Sequence, residues 1–414
     1  MEKIIVPLCR PDIDESDIAR VVETLRSGWI TTGLRVREFE QALAAWLGVS
    51  HVVCLNSATA GMELVLRVLG VGVGDEVITT IYTYAATANI IRHLGARAVL
   101  VDTLRDDFAI DPDAVARALG PRTKAIIPVD FAGWPCDYTA LAALVRSARS
   151  GFSPTAANPW QEKIGRPVIL ADAAHSLGSR YAGERVPLGA DFAVYSFHAV
   201  KNLTTAEGGA VAYRSHSFGS AADADAFARQ LRLMALHGQS KDALAKLDAA
   251  NWEYDIEMCG YKHNMTDMQA ALGIGQLARY DAQLARRRTL AERYHQELRG
   301  ARCIHPAWLE SAGGARASDV PRHESSYHLY PLRLEGYGLP ERNDLIARLA
   351  EDGIAANVHF KPLPLFTAYR DEYSIANYPN GYAHYVHEIT LPLWPGMSER
   401  QMDWVIARVN ALAR

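Results

Sequence analysis

The stretch that decides the fold is Val194-Tyr195-Ser196-Phe197-His198-Ala199-Val200-Lys201-Asn202-Leu203-Thr204-Thr205-Ala206-Glu207-Gly208-Gly209, followed by Ala210-Val211-Ala212-Tyr213. An apolar run ends at Phe197 and reads as a buried strand. Lys201 falls just beyond its end, and Glu207-Gly208-Gly209 makes a tight turn into a second apolar strand. A lysine at the rim of a buried sheet is partly stripped of water, which lowers its pKa and makes it a usable nucleophile.

Working outward, short apolar runs alternate with helix-like stretches. Val52-Val53-Cys54-Leu55, Glu76-Val77-Ile78-Thr79, Ala98-Val99-Leu100-Val101-Asp102, Lys124-Ala125-Ile126-Ile127-Pro128-Val129 and Val168-Ile169-Leu170 read as strands. Helical patterns at 61–69, 85–94 and 113–119 lie between them. Wholly apolar strands separated by helices predict an α/β fold with a parallel sheet covered on both faces. In such sheets ligands bind beyond the carboxyl ends of the strands, where Asn56-Ser57, Asp102, Asp130 and Asp172 all fall.

Further along, a long helix is expected over 265–298 with Thr266 or Asn264 near its N-cap. A strand at 327–334 and helices at 342–352 and 402–413 then read as a smaller α+β domain. The segment 147–167 is rich in Gly, Ser, Pro, Ala and Asn and reads as an inserted surface loop; the polar segment 311–321 also reads as loop.

Composition sets bounds. The 414 residues carry 43 basic and 47 acidic side chains, a net charge of −4, and no global attraction to nucleic acid or anionic membrane. No apolar run approaches the roughly 18 residues of a membrane span, and residues 1–7 lack a signal-peptide core, so a cytoplasmic protein is expected. Cys9, Cys54, Cys136, Cys259 and Cys303 are odd in number and lack CxxC spacing, which argues against a disulfide framework and against a zinc site; no metal is expected.

Three further clusters bear on chemistry. Asp172-Ala173-Ala174-His175 closes the Val168-Ile169-Leu170 strand. A lysine able to form a Schiff base, with an acid at a strand end, is what a pyridoxal phosphate (PLP) site requires: the amine attacks an aldehyde, and the carboxylate keeps the pyridine nitrogen protonated. Asn56-Ser57-Ala58-Thr59-Ala60-Gly61 opens a helix and could cradle a phosphate, or be a plain N-cap. Tyr82-Thr83-Tyr84 offers an aromatic that could stack on a ring, or simply pack in the core. Neither a Walker loop nor GxGxxG is present, which disfavours nucleoside triphosphates and dinucleotides.

Taken together these residues resemble the DegT/StrS-type sugar aminotransferases, PLP enzymes of aspartate aminotransferase fold type I. The likeness runs from Ser27-Gly28-Trp29-Ile30-Thr31-Thr32-Gly33 through the clusters above to Gly260-Tyr261-Lys262-His263-Asn264-Met265-Thr266-Asp267 and Val358-His359-Phe360. It implies a mostly parallel, seven-stranded-type sheet in a large PLP-binding domain (1–270) and a smaller C-terminal domain (271–414). It implies that Lys201 is the Schiff-base lysine and proton shuttle, that Asp172 pairs with the pyridinium and that His175 lies near the ring oxygen. Tyr84 would stack on the ring, a place where Phe or Trp is common. Ala58, Thr59 and Ser196 would bind phosphate, and Asn264 would reach the cofactor of the neighbouring subunit in a homodimer. Trp29, Thr31, Thr32, His237, His328, His359 and Lys361 would lie on the substrate side.

The implied reaction moves an amino group from an amino acid, taken as L-glutamate, to a nucleotide-linked keto-sugar, at C4 rather than C3. The products would be 2-oxoglutarate and an amino sugar, with pyridoxamine phosphate as the intermediate cofactor form. Some members carry histidine in place of the lysine and act as dehydratases; Lys201 favours transamination. A PLP-binding regulator with a dead site is the rival from another class.

Overall fold

A computed structural model describes residues 4–155, 158–187, 189–241, 253–300, 302–306 and 323–413, so the expected loop at 311–321 lies outside the described residues. Its centre is a seven-stranded sheet in the order His51–Leu55, Gly209–Tyr213, Phe192–Ser196, Val168–Asp172, Thr123–Ile127, Glu76–Thr80, Arg97–Val101. Only Gly209–Tyr213 runs against its neighbours; the other strands are mutually parallel. The mostly parallel seven-stranded sheet implied by the resemblance is therefore present, with Gly209–Tyr213 its antiparallel member.

The apolar runs are continuous because both faces are covered. Successive residues alternate between two cores: Ala125, Ile127, Val168 and Leu170 pack on one side, Ile126, Ile169 and Ala171 on the other. The two antiparallel pairings of Gly209–Tyr213 place Ser196 opposite Gly209 on one side and Leu55 opposite it on the other. The carboxyl ends of His51–Leu55 and Phe192–Ser196 thus flank Gly209 at one end of the sheet, where the chain leaves Ser196 for the Lys201 loop.

A three-stranded antiparallel sheet follows, Glu388–Leu391 beside Tyr330–Leu334 beside Cys303–Ile304, with the helices Leu339–Glu351 and Glu399–Leu412. Its core is continuous with Tyr82, Phe108 and Phe131, so the smaller sheet packs against the rim that carries the site.

Two expectations need correction. The helix expected over 265–298 is two helices, Asp267–Ala278 and Tyr280–Glu297. Arg279 leaves helical geometry between them (φ −115°, ψ 10°), while its guanidinium pairs with Asp12 at 2.7 Å and Asp17 at 2.5 Å. Thr266, not Asn264, is the N-cap, sharing a capping box with Gln269.

The segment 147–167 is not merely a surface loop. It contains the helix Pro159–Ile164, capped by Asn158 with Pro159 in the first turn and left-handed Gly165 at the end. Trp160 is buried edge-on to Phe218 and Phe227, and Gln161 donates to Leu69 O at 2.6 Å. These capping residues were legible in the sequence; the Gly/Ser/Pro richness masked them.

Candidate active site

A cleft of about 610 Å³ opens where the carboxyl ends of the strands meet the smaller sheet. Its wall gathers Ala58, Thr59, Tyr84, Asp172, His175, Ser196, Lys201, His328 and His359 from the expected set. Ala58 and Thr59 open the helix Ala58–Val68, whose first N–H groups have no intrahelical acceptor. Ser57 caps that helix by accepting from Ala60 N at 3.1 Å. A Cβ on Gly209 would stand 2.3 Å from Ala58 N, so glycine there lets the neighbouring strand approach the helix mouth. Amide donors, the positive helix end and Ser196 make a cradle suited to a phosphate dianion.

Lys201 is half-buried, and desolvation brings its amine down to about 8, against a smaller upward pull from Asp172. Asp172 ends the Val168–Asp172 strand and is 6 % exposed. Burial raises its pKa, while Thr87, donating to Oδ2 at 2.7 Å, and Lys201 favour the anion. The acid thus has two donors, Thr87 and the Ala174 N–H at 3.3 Å from Oδ1, and a nearby cation in Lys201, and a protonated ring nitrogen would supply a further partner of the right sign.

Three imidazoles line the same cleft. His175 Nδ1 accepts from Ala132 N at 3.3 Å, which leaves the ring proton on Nε2. Burial, then Lys201 and His359, hold His175 well below its ordinary pKa. Asn202 donates to Ser326 O at 2.9 Å and therefore accepts from His328 Nδ1 at 2.9 Å; His328 is likewise pushed well down by burial. His359 Nδ1 lies 2.8 Å from Thr390 Oγ1, and burial takes its pKa to about 4. All three rings are neutral near pH 7.

The remaining expected residues lie elsewhere. Trp29, Thr31, Thr32 and Asn264 form a separate cluster at the start of the Asp267–Ala278 helix: Asn264 Nδ2 donates to Thr32 Oγ1 at 2.6 Å, and Asp267 N to Thr31 O at 3.0 Å. Thr32 and Asn264 line a second groove of about 620 Å³. His237 is exposed, in a left-handed turn (φ 60°), and Lys361 is exposed with its ammonium 4.9 Å from the Phe366 ring.

Further residues stand at or behind the cleft, and of these Thr87, Asn202 and Phe360 carry no role in the reading of the sequence. Thr87 orients Asp172, and Asn202 orients His328. Phe360 stacks at 5.9 Å on His175 and lies 6.2 Å from Tyr84. Thr87 and Phe360 sit beside residues that were noticed, Tyr84 and His359, but a threonine or phenylalanine carries no signal of its own. Asp130 holds the turn after Asp172 by accepting from Ser176 Oγ at 2.7 Å and Tyr138 OH at 2.8 Å; burial raises its pKa to about 6. Among the described residues no group of His, Cys, Asp and Glu is arranged to hold a metal ion, and no helix is long and apolar enough to cross a membrane.

Comparison with known proteins accords with this geometry. The model of the DegT/DnrJ/EryC1/StrS aminotransferase family matches residues 11–151 and 161–410. The spore coat polysaccharide biosynthesis protein SpsC of Bacillus subtilis is 34 % identical over 99 % of this chain and 97 % of its own. The PMP form of Spr1654 of Streptococcus pneumoniae, provisionally assigned as a sugar aminotransferase, superposes with a TM-score of 0.90 at 45 % identity, covering 99 % of each chain. PseC of Helicobacter pylori, an aminotransferase in pseudoaminic acid biosynthesis, gives 0.83 at 26 % identity over 99 % of each chain.

Proposed function

The chain belongs to the DegT/DnrJ/EryC1/StrS aminotransferase family and is a PLP-dependent sugar aminotransferase, and from that premise we propose that it transfers the amino group of L-glutamate to C4 of a nucleotide-linked keto-sugar. The observation that carries the proposal is the pairing of Lys201, an amine brought down to about 8, with buried Asp172 in the cleft that also holds the Ala58–Thr59 helix mouth.

When bound, PLP supplies an electron sink for the carbon that loses its proton. Ala58, Thr59 and Ser196 would hold its phosphate, Asp172 its ring nitrogen, His175 Nε2–H its ring oxygen, and Tyr84, which is 66 % exposed, its ring face. Lys201 would tether the cofactor and, once displaced, take the α-proton of the donor onto Nζ and return it on the other side of the exchange. An amine at about 8 can both accept and release that proton near neutrality, help worth roughly 10²–10⁴-fold. Phe360 and the neutral imidazoles keep the cleft low in charge, which strengthens the Lys201–Asp172 interaction.

His328 and His359 would meet the sugar. Trp29, Thr31, Thr32, Asn264, His237 and Lys361 would complete the cleft of a second copy in a homodimer, a role supported by the clustering of the first four away from Lys201. The product would be a cytoplasmic amino-sugar precursor of a surface polysaccharide, in keeping with the name of SpsC.

The test is incubation with PLP, L-glutamate and a panel of nucleotide-linked 4-keto and 3-keto sugars, followed by NMR of the products. Amination at C4 is expected. Amination at C3 alone would replace the position, and no amino sugar from any member would overturn the substrate class.

A further inference from the structure

The carboxyl of Glu388 has no part in the chemistry above. It opens the Glu388–Leu391 strand and is wholly buried, as is Thr390 two residues on along the same side of the strand. Thr390 Oγ1 lies 2.5 Å from Glu388 Oε1 and 2.8 Å from His359 Nδ1. The His359 peptide N–H donates to Glu388 Oε2 at 3.0 Å. The His359 ring itself lines the cleft with Lys201.

A hydroxyl between a carboxyl and an imidazole has one proton to give, so the chain of hydrogen bonds must run in one direction or the other. With Glu388 ionised, Thr390 donates to the carboxylate, His359 Nδ1 carries its proton, and Nε2 is a bare acceptor. With Glu388 protonated, the carboxyl can donate to Thr390 and Thr390 to Nδ1, so the neutral ring carries its proton on Nε2. A glutamine could fill both bonds of Glu388 but could not alternate between the two arrangements.

We propose that Glu388, Thr390 and His359 form a proton relay in which the buried carboxyl decides whether His359 presents a hydrogen-bond acceptor or a donor at Nε2. Glu388 and Thr390 are positioning residues acting through His359. A proton taken up at Nε2 releases the Nδ1 proton to Thr390 Oγ1, whose own proton passes to Glu388 Oε1; the reverse movement returns it. No bond to carbon changes and no oxidant or reductant is needed. That the partner at Nε2 is a sugar hydroxyl or the sugar carbonyl oxygen rests on the function proposed above; the relay itself does not.

The surroundings favour two accessible states. Burial pushes Glu388 up to about 8, opposed by its two hydrogen bonds and by Arg342. Arg342 is itself buried, donates to Glu388 O at 3.1 Å and lies 4.9 Å from the Tyr385 ring. Arg333 stands opposite Glu388 in the strand register, and Tyr82 donates its hydroxyl to His359 O at 2.7 Å. On the cleft side Lys201 disfavours a cationic His359. A proton taken up at Nε2 therefore ends on the carboxyl and leaves the ring neutral, rather than resting as an imidazolium.

The experiment is ¹⁵N NMR of the histidine rings in the PLP-loaded enzyme from neutral to mildly alkaline pH, with His359→Asn to assign the resonances. In the wild type the His359 proton should shift from Nε2 to Nδ1 as pH rises. Thr390→Val should abolish that dependence, Thr390→Ser should keep it, and Glu388→Gln should pin the proton on Nε2. The bound-cofactor spectrum reports whether each variant is folded. In single turnovers with the keto-sugar, Thr390→Val should be roughly 10–100-fold slower and Thr390→Ser close to wild type. A wild-type pH response in Thr390→Val, or a shift of the proton to Nδ1 with rising pH in Glu388→Gln, overturns the relay. Failure of the wild type to aminate any keto-sugar would overturn the substrate class instead, and the resonances would still decide the relay.

Discussion

Thr87 donates its hydroxyl to Asp172 Oδ2 at 2.7 Å, from the first turns of the Ala85–His93 helix to the end of the Val168–Asp172 strand. Both groups are buried, so the bond fixes the carboxylate and favours its charged form where burial opposes it. A hydrogen bond to a buried charge contributes about 1.5–3 kcal/mol. Thr87→Val keeps the shape and removes the donor. Its affinity for PLP, measured by absorbance titration of the apoenzyme, should fall roughly 10–100-fold, with the fold retained.

Lys201→Ala should abolish transamination from L-glutamate and the near-visible absorbance of covalently tethered PLP. Lys201→Arg should do the same, because a guanidinium remains protonated and cannot serve as the nucleophile. Spectra and product assays on both variants check this; full transamination by either would remove Lys201 from the chemistry.

The lowered Lys201 pKa sets a pH dependence. Its neutral fraction is about a tenth at pH 7 and about half at pH 8 for a group near 8. Capture of PLP by the apoenzyme should therefore accelerate with rising pH and level off above about 9. Asp172 pulls the Lys201 pKa up, so Asp172→Asn should move the inflection to lower pH while weakening cofactor binding. Stopped-flow absorbance across pH measures both.

Trp160→Ala separates the inserted segment from the chemistry. The indole is 7 % exposed, packs on Phe218 and Phe227, and donates to Gln230 Oε1 at 2.8 Å. No described residue of 147–167 lines the cleft. Truncation should cost about 3–5 kcal/mol of stability by denaturant unfolding, with kcat of the folded enzyme within about twofold of wild type.

Gly209→Ala tests the close approach at the helix mouth. The added Cβ would meet Ala58 N and the Ser57 carbonyl carbon at 2.3 and 2.4 Å, both backbone atoms that cannot rotate away. The variant should lose PLP affinity at least tenfold and melt lower than wild type, as calorimetry with and without cofactor would show.

Lys201, Asp172 and His175, which the cleft brings together, stand out in the sequence because each lies at or just beyond the end of an apolar run, and polar groups at strand ends need a reason to be there. The Lys201 block is specific enough to carry the resemblance to the family whose model matches the chain. Less was legible where a residue acts through another: Thr87, Asn202, Thr390 and Glu388 are ordinary residue types in ordinary positions. Glu388 lies about thirty residues from His359 in sequence, and only strand placement brings its carboxyl under that ring.

By itself the sequence determined the repertoire: buried strands, the lysine beyond one of them, the acid beyond another, and the small-residue helix start. These follow from local hydrophobicity and short-range spacing, which act within about ten residues. The tertiary structure decided the strand order, the reversal of Gly209–Tyr213, the break at Arg279 and the meeting of three imidazoles in one cleft. Those depend on which surfaces bury each other and which buried polar atoms find partners, and neither is written in any local stretch of chain.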